Sequence, residues 1–395
     1  MLGLPSVPAS CLRPRDPRCG AVLTLTFVAV VAVGAFTGCW DREDGAAAAA
    51  RTDASAPGAP RAPGTADREA VARAAAEAVA EGKSGKKAAQ EVVSRSGDRW
   101  GTVYDRGEYA AFAEGLDGHW TGVGVWAVRA RDGMITVDGV QPAGPAARAG
   151  LRAGDRLLSV DGHAVTGLAV ADVVALLRGT AGTPVVLNLS RDGADLTETV
   201  LRERLSAEPV TVRQLAGDVT VIKVASFTRG SGERVRAAVR AAPAGGGVVL
   251  DLRGNRGGLV AEAVTAASAF LDGGLVATYD VRGEQRVLNA APGGDTTRPL
   301  VTLVDGGTMS AAELVTGALQ DRGRAVAVGS RTFGKGSVQM PTELPDGSVA
   351  ELTVGTYRTP AGRSLDGGGI TPDVPAGERA EERAVTVLGG LGVGP

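Results

Sequence analysis

Three short segments carry side chains suited to chemistry. In Asp305-Gly-Gly-Thr-Met-Ser310-Ala-Ala-Glu-Leu an apolar strand ends, a glycine turn follows and a helix begins at Ser310. A serine there holds its hydroxyl near unpaired helix N–H groups and the positive end of the helix dipole, which favour negative charge. Acyl transfer needs that environment for its oxyanion. The same residues, Ser310-Ala-Ala-Glu313, also fit a capping box, in which the serine only starts the helix. Taken alone, the cap is the simpler reading.

The second segment is Gly329-Ser-Arg-Thr-Phe-Gly-Lys335-Gly-Ser-Val-Gln339-Met. Lys335 is one of only five lysines in a chain that holds 42 Lys and Arg together. Lysine can lose its proton where arginine cannot, so a lysine in an apolar glycine loop can act as a general base. Positions i and i+4 of a strand share a face, so Gln339 is placed to orient the Lys335 amine. A solvated lysine or a phosphate-binding loop are the alternatives. Gly329–Lys335 has the glycine spacing of that loop, but Gly336 follows the lysine where Ser or Thr is needed, and a strand follows where a helix is needed.

The third segment, Leu250-Asp-Leu-Arg-Gly-Asn-Arg-Gly-Gly258, runs from strand through a glycine turn into a helix. The N–H groups of Gly257 and Gly258 are candidate oxyanion donors. A dinucleotide turn would need Gly-x-Gly-x-x-Gly, which is absent.

Taken in order with Gly369-Ile-Thr-Pro-Asp373, these segments closely resemble the carboxyl-terminal processing (tail-specific) protease family, over about residues 98–375. The resemblance implies Ser310 as nucleophile, Lys335 as base, Gln339 as its support, and Ala311 with Gly257 and Gly258 as the oxyanion hole. It also implies a PDZ domain that gates access and a layered protease core like that of the crotonases. Two departures lie beside the dyad: Arg256, where the family often has Pro, and Thr308-Met309, where it often has Ser-Ala.

Residues 121–203 resemble a PDZ domain. Gly122-Val123-Gly124-Val125 matches the loop whose N–H groups capture a peptide C-terminus, and Ala146–Gly162 matches the domain's long signature. The apolar face of the predicted helix 168–177, with Val170 and Val174, would line the peptide groove. The implied partners are protein or peptide substrates with free, apolar C-termini. A non-catalytic PDZ protein that only captures tails is the main alternative. A small-molecule acyl hydrolase is another, but a small ester needs no tail-capture site.

These residues need elements to hold them. From residue 210 onward strands alternate with helices: strands over 219–225, 248–252, 300–304 and 325–328, and helices over 232–242, 259–271 and 311–320. That order predicts a layered α/β core. Two further strands over 337–344 and 350–358 flank a Pro345-Asp-Gly347 turn, and an Ala-rich helical pattern runs from Asp67 to about Ser94. A second short helix is expected over 107–116, with Tyr109 and Phe112 on one face.

The fold class is therefore multidomain α/β. An anchor is expected over 1–40, a linker over 41–66, a helical segment over 67–120, the PDZ domain over 121–203, the protease core over 204–380 and a tail over 381–395. The chain has 395 residues, 44% hydrophobic and 22% charged, with a net charge of -2. Nothing there forms the basic face of a nucleic-acid binder. All three cysteines, Cys11, Cys19 and Cys39, precede residue 40, and the histidines are only His119 and His163. No disulfide framework, cysteine nucleophile or three-histidine metal site follows from these, and no metal or organic cofactor is implied.

Arg13, Arg15 and Arg18 precede the apolar run 21–36, which reads as an export signal or a short span. Phe36-Thr-Gly-Cys39 resembles a lipobox. The expected location is the outer face of the cytoplasmic membrane, held by a single span or a lipid.

Overall fold

A computed structural model describes residues 65–394 apart from 131, 216, 282 and 283. The expected anchor over 1–40 and nearly all of the 41–66 linker lie outside the described residues. Among the described residues no helix is long and apolar enough to cross a membrane. The chain divides into two compact units. The first gathers residues through Tyr104 with Gln339–Leu352, and the second holds Asp105–Val338 and the chain from Thr353 onward.

In the first unit the pattern expected as one helix from Asp67 is two, Arg68–Ala80 and Gly85–Ser96. Gly82 at φ 72 stops the first, and the Ser84 hydroxyl starts the second by accepting the Lys87 N–H at 3.3 Å. Val71, Ala75, Ala89 and Val93 bury one face of the pair with Val103, Leu344, Ala350 and Leu352. Residues 339–352, expected in the protease core, therefore pack with the helical segment. Asp346 ties them there by accepting the N–H of Lys86 at 2.8 Å.

The second unit opens with the helix Arg106–Leu116, where Tyr109 and Phe112 meet with ring centroids 6.1 Å apart. Strands His119–Gly122 and Glu203–Ser206 then pair antiparallel and bracket the PDZ sheet. That sheet runs Val125–Arg129, Ile135–Val140, Arg156–Val160, Pro184–Arg191 and Ala194–Leu201, with His163–Ala164 beside the third strand. Its core includes Ile135, Leu157, Val173, Leu177, Leu187 and Leu189. Asp155, 1% exposed, accepts two bonds from the Arg191 guanidinium at 2.6 and 2.7 Å. That pairing holds the Asp155 carboxyl below its usual range.

The mostly parallel sheet has the order Val210–Leu215, Val219–Val224, Val248–Asp251, Leu300–Val304, Val326–Gly329 and Val374–Pro375. All neighbours after the first pair are parallel. Val248-Val-Leu and Leu300-Val-Thr-Leu-Val are buried along their whole length, because both faces are covered. Val248, Leu250 and Leu300 face the helices Ser231–Ala241, Val260–Ser268 and Ala311–Asp321. Val249, Val301 and Leu303 face the other way, onto Ala380, Ala384 and Leu388 of the helix Ala380–Gly390. The expected tail over 381–395 is thus the second cover of the sheet, since without it those valines would meet water.

Candidate active site

The three chemical segments leave the C-terminal ends of three adjacent parallel strands, where open α/β sheets place their ligands. Residues 252–258 follow the strand 248–251, residues 305–310 follow 300–304, and residues 330–336 follow 326–329. Main-chain and threonine bonds lace the loops together. The Met309 N–H donates to Asn255 O at 2.9 Å, the Thr308 hydroxyl to Leu252 O at 2.9 Å, and the Phe333 N–H to Thr308 O at 3.1 Å.

Ser310 sits at the start of the helix Ala311–Asp321 with φ 52 and ψ -117. This is a left-handed-side conformation that costs a non-glycine residue about 1–3 kcal/mol and persists only when its surroundings impose it. Such strained strand-to-helix turns present a nucleophile above its sheet.

Glu313 imposes the conformation. Its side chain is fully buried and accepts four hydrogen bonds. Oε2 takes the N–H of Ser310 and the N–H of Lys335, both at 2.9 Å. Oε1 takes the Gly334 N–H at 2.8 Å and the Thr332 hydroxyl at 2.5 Å. Spacing alone identified Glu313 as half of a capping box, and the Ser310 N–H to Glu313 half is present. Its reach into the Lys335 loop spans some twenty residues of sequence, so no local pattern reveals it. Thr332, whose hydroxyl also accepts the Ile370 N–H at 2.6 Å, was missed for the same reason.

Lys335 is half-buried in a loop that ends where the strand Ser337–Glu343 begins. A Cβ on Gly336 would lie 2.4 Å from Asp366 N, so only glycine lets the chain pass beside that backbone. Gln339, also half-buried, lies on the strand. Strand alternation begins at Ser337 and covers Gln339 but not Lys335.

The glycine turn lies against Ser310. A Cβ on Gly257 would come within 3.1 Å of Ser310 Cβ and 3.2 Å of Ala311 N, at a φ of 97. Asn255 shapes the turn from within: fully buried, it donates to Val224 O at 2.9 Å and accepts the Gly257 N–H at 2.8 Å. The Gly257 amide is therefore already engaged, a correction to its expected role as a donor. Among the described residues no acceptor holds the N–H of Gly258 or of Ala311. Those two remain as candidate oxyanion donors.

In the PDZ sheet Val123 is buried and Gly124 turns at φ 82, with the Gly124 and Val123 carbonyls bonded to Gln141 N and Ala146 N. The loop is thereby fixed just before the strand Val125–Arg129. On the helix Val170–Leu177, Val173 and Leu177 enter the core, while Val170 and Val174 stay half-buried along its flank.

The profile of peptidase family S41 matches residues 218–376, and a PDZ domain profile matches 136–191. A carboxy-terminal-processing protease of Bartonella bacilliformis is 37% identical over 241 residues, 58% of this chain and 55% of that protein. The carboxy-terminal processing protease CtpA of Bacillus subtilis is 33% identical over 284 residues, 71% of this chain and 61% of that protein. The chain thus spans somewhat under two thirds of these curated relatives. The solved photosystem II D1 C-terminal processing protease is 31% identical, covers 77% of this chain and 86% of its own, and superposes with a TM-score of 0.51. By these matches the chain belongs to the carboxyl-terminal processing protease family, peptidase family S41.

Proposed function

We propose that this chain is an exported serine endopeptidase that cleaves protein substrates near their C-termini, with Ser310 and Lys335 as its dyad. The observation that carries the reading is the single buried carboxylate, Glu313, from which the backbones of both residues hang. A catalytic pair must be held within a fraction of an ångström, and a shared anchor does that.

In this reading the neutral Lys335 amine takes the Ser310 hydroxyl proton as the oxygen bonds to the scissile carbonyl carbon. The oxyanion lies between the Ala311 and Gly258 N–H groups, with the helix dipole behind it. Collapse breaks the C–N bond, and the leaving amine takes the proton back from the Lys335 ammonium. Water, deprotonated by the same lysine, then releases the acyl group. Gln339 orients the amine.

The PDZ loop Gly122–Val125 captures the substrate's terminal carboxylate, and an apolar last side chain meets Val170 and Val174. The basic start and apolar run of the N-terminus support placement outside the cytoplasmic membrane, held by a span or a lipid on Cys39.

A fluorophosphonate probe tests the chemistry. It should label the wild-type chain and leave Ser310→Ala unlabelled, and incubation with an unfolded protein should yield fragments with new C-termini by mass spectrometry. A wild type that neither labels nor cleaves would refute the peptidase reading and leave a tail-binding protein.

A further inference from the structure

The turn that abuts Ser310 carries two arginines, three residues apart, in opposite settings. Arg253 is neutralised within the protein: its guanidinium holds the buried Asp251 at 2.8 and 2.6 Å. Burial works to raise the Asp251 pKa, but the Arg253 pairing and the nearby Lys223 ammonium together hold its carboxyl below the usual range. Arg256 is exposed, and among the described residues no carboxylate lies within ion-pair distance of it.

The backbone on both sides of Arg256 is immobilised. Asn255 is fully buried, donates its N–H to Leu252 O at 3.1 Å and accepts the Met309 N–H at 2.9 Å. Gly257 is held by Asn255 Oδ1, and its α-carbon faces the Ser310 side chain so closely that an added Cβ would stand 3.1 Å away. Arg256 is thus one residue, about 3.8 Å of chain, from the contact with the nucleophile. Its side chain is long enough to span roughly two residues of an extended peptide at ~3.3 Å each.

A surface arginine on a mobile loop would be an ordinary solvated charge. This one leaves a fixed turn at the lip of the oxyanion site, is always protonated, and presents a planar fork matched to a carboxylate. Among the described residues that fork has no acid partner, although Arg253 in the same turn has one.

We infer that Arg256 is a specificity-determining residue that pairs with an Asp or Glu side chain of the substrate within about two residues of the scissile bond. The inference rests on the proposed peptidase reading and names a substrate class for it. It concerns side-chain carboxylates beside the cut, separate from the terminal carboxylate expected at the PDZ loop.

The test uses the full chain and three peptides identical but for one residue next to the cleavage site, Glu, Gln or Lys, each with a distant free C-terminus. Relative kcat/KM is read by mass spectrometry at low and high salt. The wild type should prefer Glu over Lys by about three- to tenfold, in the range of a partly exposed ion pair, and the preference should shrink with salt. Arg256→Glu should invert the order, and Arg256→Gln should flatten it. A loop disturbed only structurally would slow all three peptides alike and keep their order, which overturns the inference. Equal cleavage of the three peptides by the wild type overturns it as well, with the peptidase reading intact. Repeating the series with amidated peptides separates the sources, since the Glu preference should survive amidation; a preference abolished by amidation assigns the effect to the C-terminus and also overturns it. A wild type that cleaves none of the peptides defeats the peptidase reading first, and this inference with it.

Discussion

The main-chain N–H groups of Ser310 and Lys335 donate to one and the same oxygen, Oε2 of Glu313, at 2.9 Å each. Their nitrogens are therefore no more than two bond lengths, about 6 Å, apart. The residues are far apart in sequence, and a carboxylate on the first turn of the helix that Ser310 opens joins them.

Glu313→Gln should break that junction. A carboxylate accepts at both oxygens, whereas a carboxamide points an NH2 donor at two of the four donors that converge here. Leaving such groups unpaired in a buried site costs about 1–3 kcal/mol each. The expected result is a protein destabilised in urea by a few kcal/mol whose residual folded fraction cleaves peptide far more slowly than wild type. Wild-type stability and activity together would remove Glu313 from this role.

Ser310→Gly should be inactive yet more stable than Ser310→Ala, by about 1 kcal/mol, because glycine adopts φ 52 without steric cost. Denaturation midpoints of the two variants, compared at equal m-value, check this. Equal midpoints would mean that the serine backbone is unstrained.

Lys335→Arg separates a base from a mere positive charge. Arginine keeps the charge but does not give up its proton. The variant should fold and be nearly as inactive as Lys335→Ala, with Gln339→Ala falling between them and wild type. Substantial turnover by a folded Lys335→Arg protein, measured on a peptide substrate, would overturn the dyad.

Gly257→Ala should retain the fold and lose at least about a hundredfold in kcat, the range seen when an oxyanion site is disturbed. The new methyl group would sit 3.1 Å from Ser310 Cβ and 3.2 Å from Ala311 N, at a φ that alanine disfavours. Near-wild-type turnover would show that the turn can yield without moving Ser310.

Asp295 should govern part of the acid stability. Burial works to raise its pKa, but the Arg298 guanidinium at 2.8 Å and the N–H groups of Arg298 and Thr297 outweigh it and hold the pKa at about 2. A carboxyl depressed from its ordinary ~3.9 contributes about 2 kcal/mol above that value and loses it as pH falls toward 2. Asp295→Asn should therefore be destabilised near pH 7, with the difference from wild type closing between about pH 4 and pH 2. A gap independent of pH would point to lost packing alone.

The parallel strands between residues 219 and 329 with the helices between them, the PDZ signature, and the loops that carry Ser310, Lys335 and the glycine turn are legible in the sequence. Apolar runs mark strands covered on both faces, and glycine marks places where only a bare backbone fits, so both leave local traces. In the sequence alone the helix Ala380–Gly390 looks like a tail, because its apolar positions acquire meaning only against Val249, Val301 and Leu303 of a sheet assembled from distant segments. The edge strand 210–215 and the strands 275–281 and 284–289 escaped because half-exposed strands alternate weakly. Side-chain type and local turn mark the candidate residues for chemistry, and both are written in the sequence. How they are held is a matter of the assembled fold: Glu313 spans two loops, the Gly257 amide is spent on Asn255, and among the described residues Arg256 has no acid of its own. Those facts depend on contacts between segments far apart in the chain, and such contacts exist only once the fold has closed.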